Sequence, residues 1–190
     1  FNTINTIASL IRTDPETARK LLREFAVFYR RTLEDSADLI VFAREMEQTK
    51  RYFTFEVARF GADRVEMEMR IDPRVEDMLV PPFLLQPLVE NAVRHAMPSE
   101  GKLTIEVTGE VTGNDVIVRV CDNGVGMTEE ARCNILHPES SLGLGIAVKN
   151  VHDRICGYFG PGTHMEVESE LGKGTCVILV LKEGALREYQ

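Results

Sequence analysis

The sequence predicts an α+β chain, with a helical first third followed by a region of alternating strands and helices. Three observations predict it. Apolar residues recur at helical spacing up to about residue 60 and at every second position from residue 64 onward, and a change of period from about 3.6 to 2 marks a change from helix to strand. Gly, Pro, Asn and Asp fall at the joints between these segments, where turns need them. A composition of 44% hydrophobic and 27% charged residues over 190 positions is that of a globular chain, long enough to bury a core.

In chain order, Ile4, Ile7, Ala8 and Ile11 give the apolar stripe of a first helix. Asp14 is placed to cap a second helix and Pro15 to open its first turn. Leu21, Leu22, Phe25, Phe28, Tyr29 and Leu33 continue that helix, and Glu34-Asp35-Ser36 breaks it. A third helix runs from about Ala43 to Phe60, with Met46, Tyr52, Phe53, Val57 and Phe60 on its apolar side and Gly61 as its stop. Val65, Met67, Met69 and Ile71 alternate with charged residues as a half-buried strand. Pro81 to Met97 is an amphipathic helix in which Pro87 implies either a kink or a true start near Gln86. Two strands follow, Leu103–Val111 and Val116–Cys121, separated by a turn at Gly113-Asn114. Thr128 caps a short helix, residues 136–143 are irregular, and a helix carrying Leu144, Val148, Val151 and Ile155 closes at Gly157. Strands at Met165–Glu170 and Cys176–Leu181 are joined by Leu171-Gly172-Lys173-Gly174. The domains divide as 1–62, helical, and 63–190, mixed. Two or three helices with broad apolar faces and no sheet need partners, either the following domain or a second copy of the chain.

Twenty-two basic against 30 acidic residues leave a net charge of −8. That argues against general nucleic-acid binding, which draws on phosphate neutralisation. No run of about 18 apolar residues spans a membrane. The chain opens at Phe1, without a signal peptide, and reads as a piece of a longer protein. The four cysteines stand 12, 23 and 20 residues apart with no CxxC pair, which disfavours zinc. Cys121 and Cys176 sit in apolar runs and read as small core residues of a reducing, cytosolic setting.

Four stretches carry chemistry. On the helix after Pro81, the polar side holds Glu90, Asn91, Arg94 and His95 opposite Leu85, Leu88, Val89, Ala92 and Val93. A carboxylate, an amide, a cation and an imidazole can together hold a metal–phosphate group, although most polar helix faces are merely solvated. Asp122-Asn123-Gly124-Val125-Gly126 follows a strand, so its carboxylate can accept from an exocyclic amine such as that of adenine, while the glycines allow close approach. Ser141-Leu142-Gly143-Leu144-Gly145 leads into a helix start, where free N–H groups attract anions. Gly172-Lys173-Gly174-Thr175 is a hairpin turn by default, but it can also set the Thr175 hydroxyl beside Asp122. Each motif alone is weak. The pattern fits neither a dinucleotide fingerprint nor a P-loop.

The ordered set is specific. Asp122 lies 31 residues after Asn91, Gly143 lies 21 after Asp122, and Gly172 lies 29 after Gly143. This resembles the N box and three glycine boxes of the GHKL (Bergerat) ATP-binding fold, shared by gyrase, MutL, heat-shock and sensor-kinase proteins, over about residues 64–182. Pro81 to His95 closely resembles the LytS-type sensor histidine kinases, and Phe1-Asn2-Thr3-Ile4-Asn5 resembles the continuation of their Phe-Leu-Phe-Asn motif.

The resemblance implies a two-layer α/β sandwich preceded by helices of a dimerisation and phosphoacceptor region. It also implies ATP and Mg²⁺ as ligands. By the same resemblance, Asn91 ligates the metal, and Arg94 and His95 stand on the phosphate side. Asp122 binds the adenine amine, with Gly124 and Gly126 shaping that pocket. Gly143, Leu144 and Gly145 belong to a lid over the phosphates that spans residues 127–142 and the helix start. Thr175 completes the adenine contact on a turn made by Gly172 and Gly174. The family's phosphate-accepting His lies three residues before Phe1, outside this chain. Hydrolysing members of the fold carry a Glu four residues before the Asn, where this chain has Pro87, leaving Glu90 and Arg94 as candidate catalytic groups.

The reading that follows is the cytoplasmic catalytic part of a homodimeric, membrane-anchored sensor kinase whose partner is a response-regulator receiver domain, with no nucleic-acid role and no membrane contact of its own. The alternatives are an ATP hydrolase that drives a conformational change and a non-enzymatic dimerisation module.

Overall fold

The change of period near residue 64 is where the backbone changes from helices to a sheet. The structure, a computed structural model, describes residues 2–34, 38–135 and 144–182. Helices α1 (Asn2–Thr13) and α2 (Pro15–Glu34) form a hairpin about Asp14. The Asp14 carboxylate accepts from the Thr17 amide at 3.1 Å, and the Thr17 hydrogen bonds hold its carboxyl below the usual range. Ile7, Ala18 and Leu21 bury together against Phe55.

Strand β1 (Ile40–Val41) runs straight into α3 (Phe42–Phe60), which stops at Gly61 with φ 97°. A positive φ is open to glycine at little cost, which is why the helix ends there. Then follow β2 (Val65–Ile71), the single turn α4 (Pro73–Glu76), β3 (Leu79–Val80), α5 (Gln86–His95), β4 (Leu103–Thr112) and β5 (Asp115–Asp122). After these come α6 (Glu129–Asn134), α7 (Leu144–Phe159), β6 (His164–Glu170) and β7 (Gly174–Leu181).

Five strands form one sheet in the order β2-β4-β5-β7-β6. β2 runs parallel to β4, and the remaining pairs are antiparallel. Alternation along each strand sends Leu103, Ile105 and Val107, Val116, Val118 and Val120, and Val177, Leu179 and Leu181 to one face. There they meet Leu88, Val89 and Val93 of α5, Val148, Val151 and Ile155 of α7, and Phe42, Met46 and Phe53 of α3. The sheet and its helices are thus the two layers expected, and one apolar core lies between them.

Three local expectations are corrected. Gly157 does not close α7, which continues to Phe159. Phe159 packs on the core, and that burial outweighs the roughly 1 kcal/mol that a mid-helix glycine costs. The segment before α3 contributes to a sheet, since β1 pairs antiparallel with β3. Cys121 and Cys176 are not core residues. They face one another across β5 and β7 and are joined by a disulfide. The two-residue period that buries Val116, Val118 and Val120 places Cys121 on the opposite, half-exposed face of the sheet, so the cysteines give no support to a reducing compartment.

Candidate functional site

The site begins with the bend that leads into α5. Its helix starts at Gln86, so Pro87 lies in the first turn, where the missing N–H has no intrahelical partner to lose. Before it, Phe83 takes φ 60°, a conformation that costs a bulky residue of order 1–3 kcal/mol. Two charged side chains hold the bend. The Glu45 carboxylate, from α3, accepts from the amides of Phe83 at 2.6 Å, Leu84 at 2.8 Å and Leu85 at 3.0 Å. Arg154, from α7, donates to the carbonyls of Pro82 at 2.6 Å and Phe83 at 3.3 Å. Glu45 is fully buried. Burial pushes its carboxyl up, while the three amides and the nearby Arg154 charge pull it down.

The polar side of α5 divides in two. Asn91 and His95, four residues apart, face a cleft whose floor is Leu88, Ala92, Ala96, Val120 and Val177 and whose rim holds Asp122, Gly126, Met127 and Thr175. Partial burial and the charge of Arg94 both lower the His95 pKa, which favours the neutral ring.

Asp122 stands at the end of β5, directly opposite Thr175 on β7. Its Oδ1 accepts from the amides of Gly124 at 2.9 Å and Thr175 at 3.2 Å. These bonds fix the carboxylate and leave Oδ2 without a hydrogen bond among the described residues. Burial raises the carboxyl's pKa, and the two amides oppose the rise. Ser169 locks the other half of the pair: it donates to the Gly174 carbonyl at 2.9 Å, accepts from the Met127 amide at 2.9 Å and meets Thr175 Oγ1 at 2.9 Å. With the Ser169 hydrogen used on Gly174, Thr175 donates to Ser169 and keeps its lone pairs for the cleft.

Gly124 and Gly174 serve this geometry by close approach. A side chain on Gly124 would fall onto the carbonyl of Ala96, and one on Gly174 onto the carbonyl of Asp122. Gly172 ties the β6–β7 turn to the loop after β5 by donating to Val125 at 2.7 Å. Leu144 and Gly145 open the first turn of α7, whose leading N–H groups have no helical partner. Gly143 lies outside the described residues, as does residue range 136–142 of the expected lid.

Glu90 and Arg94 do not reach this cleft. They sit about 100° round the helix from Asn91 and His95 and line a separate groove with Tyr52, Glu56 and Arg59 of α3 and Asn2 and Thr3 of α1. Burial and the Glu56 charge raise the Glu90 carboxyl's pKa, and Arg94 opposes them. Glu45, Ser169 and Met127 were not singled out by the sequence. Glu45 and Ser169 act on backbone groups 38 and 42 residues away, and no local spacing announces such contacts.

A family model described as histidine kinase-, DNA gyrase B-, and HSP90-like ATPase matches residues 83–185, which hold every described element of the cleft. The chain belongs to this ATPase family. A second model, described as histidine kinase, matches residues 1–65. Over its whole length the chain is 38% identical to a sensor protein LytS of Bacillus cereus. It is 36% identical, over 89% of its length, to a sensor histidine kinase/phosphatase LytS of Staphylococcus aureus. The chain spans about a third of the length of these curated relatives, 33% and 30% respectively.

Among solved structures, the catalytic domain of histidine kinase ThkA matches with a TM-score of 0.59 and 18% identity, over 76% of this chain and 94% of that one. The Acinetobacter baumannii histidine kinase AdeS matches with a TM-score of 0.58 and 17% identity, over 93% of this chain and 83% of that one. At such identities the likeness shows the fold alone, and the fold is that of this ATPase family. Among the described residues, no helix is long and apolar enough to cross a membrane.

Proposed function

We propose that this chain is the catalytic part of a two-component sensor histidine kinase that binds ATP with Mg²⁺. The γ-phosphoryl group passes to a His upstream of Phe1 and then to an Asp of a response-regulator receiver domain. The observation that carries the reading is the Asp122–Thr175 pair facing Asn91 across an apolar cleft, in a chain of this family. Leu88, Ala92, Val120 and Val177 offer flat apolar contact to a purine. Asp122 Oδ2 accepts from its amine. Asn91 and His95 face the phosphates, with the backbone at Leu144 and Gly145 closing over them.

The residues present fit a metal that arrives with the nucleotide. Among the described residues no three His, Cys, Asp or Glu side chains gather to hold an ion alone. Mg²⁺ characteristically takes one or two protein oxygens and completes its shell with phosphates and water, and the Asn91 amide supplies one such oxygen. Bound there, the ion neutralises charge on the phosphates.

Residues 1–62 act as part of the helical dimerisation region, 63–190 act as the nucleotide domain, and the full protein is a membrane-anchored homodimer with this part in the cytoplasm. Exposed Ile4, Ile11, Leu22 and Tyr29 on α1 and α2 support a second copy as the partner. The test is calorimetric titration with ATP, with and without Mg²⁺. Asn91→Ala is expected to lose the metal dependence, and Asp122→Asn to lose the nucleotide, with both proteins folded. Unchanged affinity in both variants would overturn the reading.

A further inference from the structure

The hydroxyl of Ser169 lies behind the Asp122–Thr175 pair and has three partners. Gly174 offers a carbonyl, Met127 an amide and Thr175 a hydroxyl, each at 2.9 Å. A serine hydroxyl has one proton and two lone pairs. The carbonyl can only accept and the amide can only donate, so the proton goes to Gly174 and one lone pair to Met127. The remaining lone pair takes the Thr175 proton. Ser169 is thereby saturated, and it fixes the polarity of its neighbour. Thr175, which lines the cleft, turns only lone pairs toward it.

We propose that Ser169 is a positioning residue that sets the base specificity of the cleft, favouring a 6-amino over a 6-oxo purine nucleotide, an inference that rests on the nucleotide-binding reading above. Asp122 and Thr175 are directly paired across β5 and β7, and Asp122 Oδ2 and Thr175 Oγ1 are both acceptors. The nearby amides are spent on the wall itself. Those of Gly124 and Thr175 serve Asp122 Oδ1, and that of Met127 serves Ser169. An exocyclic amine brings two N–H groups and can satisfy both acceptors at once. A ring carbonyl in the same place sets its own lone pairs against two others, and each acceptor taken from water without a donor costs binding.

Ser169 is not among the residues that line the cleft, whereas Thr175 and Met127 are, so it acts through them. Without its hydroxyl, the Thr175 proton is free to turn into the cleft and the Met127 N–H loses its acceptor. Both then become donors that a carbonyl can use. Loss of Ser169 therefore changes which base is tolerated, whereas general loosening of the wall weakens all nucleotides alike.

The experiment titrates the full-length protein calorimetrically, with Mg²⁺ present, against ATP and against inosine triphosphate, whose base carries a carbonyl in place of the amine. The parent is expected to prefer ATP about 100-fold, about tenfold for each acceptor left facing the carbonyl. Ser169→Ala is expected to reduce that preference to about tenfold, the part that Asp122 retains. Ser169→Thr keeps the hydroxyl and suits a strand, and it is expected to preserve the parent's preference. Thr175→Val removes the oxygen that Ser169 orients. It is expected to reduce the preference as Ser169→Ala does, and it decides the matter if Ser169→Ala does not fold. A preference in Ser169→Ala or Thr175→Val within about twofold of the parent, well short of one lost acceptor contact, overturns the proposal, as does a Ser169→Thr variant that loses the preference. A parent that binds both nucleotides equally overturns this inference alone, whereas a parent that binds neither overturns it together with the kinase reading.

Discussion

Glu45 and Arg154 grip the same bend through opposite chemistry. The carboxylate takes the amides of Phe83, Leu84 and Leu85, and the guanidinium takes the carbonyls of Pro82 and Phe83. Between them Phe83 is held at φ 60°, a conformation that persists only where its surroundings over-determine it. The two residues lie on α3 and α7, so the start of α5 is referenced to both neighbouring helices.

Glu45→Ala is therefore expected to destabilise the protein by about 3 kcal/mol, because three buried amides lose their acceptor. Glu45→Gln keeps one acceptor oxygen and is expected to lose less. Denaturant unfolding measures both. The pH dependence has a definite sign. A carboxyl whose folded pKa is raised binds its proton more tightly folded than unfolded, so its contribution to stability diminishes as pH rises from the ordinary Glu range through the raised value. Relative to Glu45→Gln, wild type should gain stability as pH falls through that window.

Asp122→Asn replaces an acceptor with an amide that can turn its NH₂ toward the nucleotide amine. A hydrogen bond to a charged group contributes about 1.5–3 kcal/mol, so ATP affinity should fall about 100-fold by calorimetry while the unfolding midpoint stays near wild type.

Nucleotide affinity should also fall as the solution is acidified. Burial raises the Asp122 carboxyl above the usual Asp range, and only the ionised form is a full acceptor. Affinity is complete well above the raised pKa and declines as pH drops through it. Titrations at pH 7.5 and pH 5 should differ for wild type more than for Asp122→Asn.

The Cys121–Cys176 disulfide closes a long loop, since its cysteines are separated by 55 residues. Reduction is expected to add two mass units and to lower the unfolding free energy by about 2–4 kcal/mol, the usual contribution of such a cross-link. Intact-mass measurement with parallel melts, with and without reductant, checks both.

Features with a local cause were legible in the sequence. Asp14 and Thr128 cap helices because their side chains reach amides three residues on. The alternation at Val116, Val118 and Val120 fixed the buried face of β5, and that same parity carries Asp122 to the helix side of the sheet. The family resemblance grouped Asn91, Asp122 and Thr175, and the topology brings them to one cleft.

What was hidden depends on distant partners. Two residues at β1 show no period, and they become a strand because β3 lies beside them. Cys121 and Cys176 look apolar in sequence, and only the β5–β7 register sets them face to face. The polar side of α5 was read as one surface, yet Glu90 and Arg94, both exposed, line a groove beside α1 and α3 while Asn91 and His95 face the cleft.

Phe53 and Phe55 are two residues apart on α3, but Phe53 is buried with the sheet and Phe55 with α1 and α2. One unbroken rod of 19 residues, about 28 Å long at 1.5 Å per residue, is thereby anchored in both halves of the molecule. Its near end carries Glu45, on which the bend before Asn91 hangs. One helix therefore ties the packing of the helical pair to the bend that starts α5.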